Sequence, residues 1–214
     1  MEERKPTADS SARAVGTAEP IRLWGFQGAI LRVLRELFTT PRGWWLICIC
    51  FAAIVQWPAR IHMFPDGLSY LDIGSEASKG DLGALANSYW SPAYPALIGA
   101  ALFLLRPSPA SEVPVLQLVN TIIFILTLGA FTLFFRSWSR SIPEFEQASS
   151  RDKGLFTLFA FASFLWFTAS LITIRLTTPD MLTAAMVFLL AGMGFRGSRA
   201  DAGWRQFAGL GVLL

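Results

Sequence analysis

Uncharged apolar runs long enough to cross a bilayer constrain this chain more than any other feature. Segments 43–59, 113–135 and 154–174 contain no Asp, Glu, Lys or Arg, and 181–195 is a shorter run of the same kind. A membrane-spanning helix needs about 20 mostly apolar residues, so these four read as spans. A fifth run opens at Phe207 and ends with the sequence at Leu214. Eight residues are too few to cross, so the chain reads as the amino-terminal part of a larger protein or as a truncated reading frame. The composition agrees, with 53% hydrophobic and only 15% charged residues, against roughly a quarter charged in soluble domains. The expected fold class is an all-α integral membrane protein, a polytopic helix bundle with a long external loop containing amphipathic or interfacial helices.

Residues 1–20 are polar and carry no apolar signal core, and they read as a disordered cytoplasmic tail. In 21–41, Leu23, Phe26, Ile30, Leu34 and Leu37 recur every three or four residues, with Arg22, Arg32 and Arg35 off that stripe. This pattern predicts a basic amphipathic helix lying at the interface and ended by Pro41. Residues 43–214 form the membrane module. Cys48 and Cys50 stand two apart in an apolar helix and therefore point to different faces, which disfavours a metal or disulfide pair.

A short apolar piece, SPAYPALIGAALFLL at 91–105, decides the sidedness of every later loop. If it does not cross and the amino terminus is cytoplasmic, the inside holds seven Lys or Arg before the first span, four in 136–153 and three in 196–205. Those fourteen face four outside: Arg60, Lys79, Arg106 and Arg175. If it crosses, each side holds nine. The positive-inside rule favours the first arrangement, which leaves 60–112 as one long external loop and puts Asp66 and Asp180 on the same side. The amino terminus is predicted to lie on the cytoplasmic side.

That loop gathers polar chemistry. Between Pro65 and Pro95 lie Asp66, Asp72, Glu76, Asp81 and all three tyrosines, Tyr70, Tyr89 and Tyr94. Asp66, between Pro65 and Gly67, suits the N-cap of a helix running from Leu68 to about Ser78 and ending near Gly80. Glu76 and Lys79 are spaced to pair on it. Asp180 follows Thr177, Thr178 and Pro179 at the start of the next apolar run, where a cap is again favoured. His62, the only histidine, sits just past the first span. Trp90 and Tyr94 suit either an interfacial belt or stacking on a sugar ring.

PDGLSYLDIG, GDLGALANSYWSPAYPALIGAAL and TPDML, in this order, resemble the amino-terminal module of GT-C-type membrane glycosyltransferases. That superfamily includes protein mannosyltransferases, aminoarabinose transferases and oligosaccharyltransferases; the texture is most similar to bacterial dolichyl-phosphate-mannose-protein mannosyltransferase-like proteins, from about Gly43 to Leu214. The resemblance implies transfer, with inversion, of a sugar from a polyprenyl-phosphate donor to a glycan, lipid or protein acceptor at the external face of a bacterial cytoplasmic membrane. It implies catalytic acids at Asp66 and Asp180. Tyr70, Tyr89, Trp90 and Tyr94 would flank the sugar, and Arg60, Lys79 and Arg175 would meet the lipid phosphate. Many relatives hold two adjacent acids in the first motif, whereas Gly67 occupies the second place here. No cofactor is specified, and a divalent metal stays open.

Two rival readings follow from the same residues. In a non-catalytic membrane scaffold or accessory subunit, the acids only cap helices. A transporter would need polar groups at mid-membrane depth, and the spans offer only Gln56, Gln117, Asn120 and scattered threonines. No Walker-type phosphate loop points to an ATP-driven pump, and no basic run with interleaved aromatics points to nucleic acid.

Overall fold

The computed structural model describes residues 21–87 and 89–197, with side chains from residue 28. The tail 1–20 and the span expected from Phe207 lie outside the described residues. Contacts divide the chain after Arg35, and the two sides are taken separately.

The helix α1 (Ile21–Thr39) runs through the division and is helical where the 3.6-residue stripe predicted it. Ile30, Leu31, Val33 and Leu34 are exposed on it.

After the division, every described element is helical. Pro41 does not merely end the preceding helix; it opens α2 (Pro41–Ala59), whose cap Thr40 accepts a hydrogen bond from the Gly43 amide at 3.2 Å. Proline suits a first helical position because its missing N–H would be unpaired there anyway. Next come α3 (Pro65–Ser78) and α4 (Ala93–Leu105). They are followed by the 30-residue α5 (Glu112–Ser141), short α6 (Pro143–Gln147), α7 (Ser150–Ser170) and α8 (Asp180–Gly197). Ser149 caps α7 by accepting from the Asp152 amide, and its hydroxyl donates to the Asp152 carboxylate.

Three described helical stretches are long and apolar enough to cross a membrane: Pro41–Ala59, Pro109–Ser141 and Ser150–Ser170. Segment 181–195, expected as a further span, is also helical within α8, which lies along α5. Their backbones approach closely at Gly192, where a Cβ would meet the Phe134 Cα at 3.1 Å. Small residues permit this kind of helix contact where lipid supplies no hydrophobic drive.

α5 is the axis of the core. Leu116, Ile123, Phe124, Leu128, Phe131 and Phe135 are buried along it. Phe131 stacks on Phe164 of α7 at 4.7 Å and meets Phe188 of α8 edge-on at 5.2 Å. Cys48 is buried and Cys50 exposed, on different faces as their spacing requires.

Segment 91–105 yields α4, only 13 residues long, or about 20 Å of helix against a hydrocarbon core of about 30 Å. Rather than standing alone, it packs on α3. A Cβ on Gly99 would meet the Gly74 carbonyl at 2.8 Å, so the two helices touch backbone to backbone.

Candidate functional site

The site forms where three pieces of backbone meet: the start of α3, loop 171–179 and the start of α8. Neutral side chains buried in the helices hold that loop. Gln56 of α2 donates to the Ile174 carbonyl at 3.1 Å and to the Gln117 carbonyl at 3.3 Å. Asn120 of α5 donates to the Leu176 carbonyl at 3.1 Å. Thr127 of α5 donates to the Met181 carbonyl at 3.1 Å, fixing the first turn of α8. Gln117 reaches the other way, to the His62 carbonyl at 3.1 Å, and so steadies the connection into α3. Buried carbonyls need such partners, because an unpaired one costs about 1–3 kcal/mol.

The loop so held presents Thr177, fully buried, to Gly67. A Cβ on Gly67 would lie 1.8 Å from the Thr177 Oγ1 and 2.7 Å from its Cβ. The glycine in the PDG motif is therefore required by contact with the TTPD motif, 110 residues later. That contact brings the two acid-bearing segments together.

Asp66 is not the cap of α3. The helix starts one residue earlier, at Pro65, with Phe64 in the cap position and making no side-chain cap bond. Proline's fixed φ moves the helix start ahead of the acid, which places Asp66 in the first turn with its carboxylate exposed. The other end matches expectation: the helix stops at Ser78, and Gly80 takes a positive φ of 103°. Asp180 is the first residue of α8, exposed, and its carboxylate accepts from the Thr178 hydroxyl at 2.9 Å.

Tyr70 stands one turn after Asp66 on the same helical face. It is nearly buried. Burial pushes its phenol above the ordinary tyrosine range, and the negative charges of Asp180 and Asp66 push it further. A single phenol thus lies within electrostatic reach of both acids and stays protonated beside them. Tyr70 also contacts Trp90 edge-on at 4.7 Å and Tyr94 at 5.1 Å, while Tyr89 meets Trp90 at 4.7 Å. The four expected aromatics form one cluster, in which Tyr89 is exposed and Trp90 half-buried.

Tyr94 departs from expectation. It is fully buried, and its hydroxyl donates to the Asn120 Oδ1 at 2.6 Å. It cannot offer a ring face to a ligand, and instead ties α4 to the carboxamide that holds Leu176. Its phenol too is pushed up, mainly by burial.

Of the expected cations, Arg175 is exposed on the loop beside Ile174. Arg60 folds back over the Trp57 ring, 4.0 Å from its centre, and donates to the Trp57 carbonyl. Lys79 lies at the far end of α3, about 20 Å of helix from Asp66, paired with Glu76 at 2.9 Å. That pairing raises its amine above the ordinary lysine range. His62 is exposed, and only its carbonyl joins the network.

No group of three His, Cys, Asp or Glu side chains that could hold a metal occurs among the described residues. The position that would supply another acid beside Asp66 is Gly67, closed by Thr177. The residues present therefore do not fit a metal held by an acid pair. Comparison of the chain with known protein families, characterised proteins and solved structures gives no match.

Proposed function

We propose that this chain is a multi-pass membrane glycosyltransferase module. In this reading it transfers a sugar from a polyprenyl-phosphate donor to an acceptor at the outer face of a bacterial cytoplasmic membrane. The observation that supports it best is the seating of Gly67 on Thr177, which assembles Asp66, Asp180 and Tyr70 from motifs distant in sequence. The charge count of the loops supports the sidedness.

Asp66, exposed and in reach of a ligand, is the general base. As the acceptor oxygen or nitrogen bonds to the anomeric carbon, its proton passes to the carboxylate, and the bond from that carbon to the lipid phosphate breaks with its electron pair on the phosphate. Asp180, oriented by Thr178, positions the acceptor or the sugar hydroxyls. Tyr89 and Trp90 present aromatic surface to the sugar, and Arg175 faces the departing phosphate.

Asp66→Asn in the full-length protein, assayed with a polyprenyl-phosphate sugar, tests this. Turnover should fall at least a hundredfold, the lower range for loss of a general base; unchanged turnover removes Asp66 from that role. The hydrogen bond from Thr178 to Asp180 favours a second reading, a non-catalytic scaffold in which the acid only organises a helix start. In that case Asp66→Asn and Asp180→Asn would lower stability slightly and leave cellular function intact.

A further inference from the structure

Between α5, α7 and α8, running inward from the acid end, lies an open cleft of about 290 Å³. We infer that this cleft seats one acyl chain of a zwitterionic phospholipid.

The room in the cleft comes from side-chain size. Ala160 and Ser163 of α7 and Ala184 of α8 are too small to close the gap between their helices. Deeper in, Phe131 of α5 stacks on Phe164 and meets Phe188 edge-on, and these three rings line the inner part. No charged side chain lines the cleft. Thr127 donates to the Ile123 and Met181 carbonyls, and Thr168 donates to the Leu165 carbonyl, so both hydroxyls are turned to backbone. Apart from the small Ser163 hydroxyl, the walls offer a ligand only apolar surface. A charged or amide-bearing occupant would lose its water there without gaining partners.

The dimensions fit a chain rather than a helix. From Met181 to Phe188 is about 10 Å of helix. Another helix, ~10 Å across, would need roughly 800 Å³ over that length. The volume instead equals about ten waters at ~30 Å³ each, the bulk of about ten methylene groups. The source of the chain follows from where the cleft opens. Phe167 lines it yet is 51% exposed, and Trp166 beside it is 68% exposed, so it opens sideways on an apolar face of α7. That helix is long and apolar enough to span a bilayer, and such a face meets acyl chains.

The outer end selects the headgroup. Ile172 and Met181 both line the cleft, so loop 171–179 crosses this end. The loop carries Arg175, Asp180 follows it, and both are exposed. One charge of each sign suits a phosphate and an ammonium on the same head. A purely anionic head would leave Asp180, and Asp66 brought to the same end, unmatched. The inference does not rest on glycosyl transfer, only on membrane insertion.

The test uses the full chain in nanodiscs of equal phosphatidylethanolamine and phosphatidylglycerol, counting lipids that stay bound by native mass spectrometry. Retention of about one phosphatidylethanolamine per chain is expected. It should fall about tenfold or more in Ala184→Phe, which fills the cleft, and persist in Val187→Phe, on the exposed side of α8. Ser163→Leu fills the cleft from the other wall and serves if Ala184→Phe does not fold. Equal retention by wild type and the filled variants overturns the inference, as does retention of phosphatidylglycerol at or above that of phosphatidylethanolamine. Displacement of the phospholipid by an uncharged polyprenol also overturns it, because the cleft would then prefer an isoprenoid chain. So does a lipid-free dimer, in which a second copy covers the cleft.

Discussion

The two ends of the α5–α8 pair are built on opposite principles. At one end, neutral carboxamides and a threonine hold backbone carbonyls, and the acids sit outside this framework with exposed carboxylates. At the other, three arginines line an open pocket. The amide N–H groups of Gln56 and Asn120 find buried carbonyls, and a neutral amide is far cheaper to bury than an unpaired charge. Buried neutral groups therefore fix position, while the charged side chains of Asp66, Asp180, Arg136 and Arg196 stay at the surface. The acid end rests on a hydrogen-bonded framework; the arginine end sets charged side chains beside the apolar walls of Leu133 and Phe195.

The largest effect should come from breaking the neutral framework. Asn120→Leu leaves the buried Tyr94 hydroxyl and the Leu176 carbonyl without their partner. At about 1–3 kcal/mol for each orphaned group, a loss of about 2–6 kcal/mol is expected, read as a fall in Tm in detergent. Arg136→Gln at the other end should cost much less. If both lower Tm equally, the contrast between the ends is wrong.

Next in size is Gly67→Ala. The added Cβ meets a buried, β-branched Thr177 that cannot rotate away freely, so a cost of about 1–3 kcal/mol is expected. Paired with Thr177→Gly, it should show a coupling energy of about 0.5–3 kcal/mol. Simple additivity in that cycle would mean that the two motifs do not touch.

Much of this was legible in the sequence, for identifiable reasons. Long uncharged runs give the long helices, because a helix satisfies its own backbone in any apolar surrounding. Glu76 and Lys79 could be paired from spacing alone. What escaped the sequence depends on contacts between distant segments. Gln56, Gln117 and Asn120 are conspicuous as amides in apolar runs, yet nothing local tells that they hold carbonyls of loop 171–179. The deep burial of Tyr94 follows from Asn120 on another helix, and the need for Gly67 follows from Thr177. The start of α3 was misplaced because Asp66 is a good cap by type, while Pro65 begins the helix first.

A smaller effect concerns Tyr70 and pH. Its folded-state pKa is raised above the ordinary tyrosine value near 10, so folding favours the neutral phenol. The resulting stability is fully present below pH about 10 and is lost as pH rises through the folded-state value. Tyr94 and Lys79 are raised as well and add loss of the same sign. Tyr70→Phe should make the Tm profile above pH 10 shallower than in wild type, with little change at neutral pH. An unchanged slope would mean that neither burial nor the two carboxylates raises the phenol on folding.

The smallest expected effect separates the acid cluster from the rest of α3. Lys79 is exposed, and its partner Glu76 sits on its own helix, three residues away. Such surface pairs contribute little, because solvent screens them and both side chains must be ordered to meet. Lys79→Gln should leave Tm and turnover unchanged within error. Arg175→Gln, on the loop that carries the second acid, should weaken a phosphate-bearing donor measurably, as a raised KM. A raised KM for Lys79→Gln but not for Arg175→Gln would move the donor phosphate to the far end of α3. The acids would then have been grouped with the wrong cation.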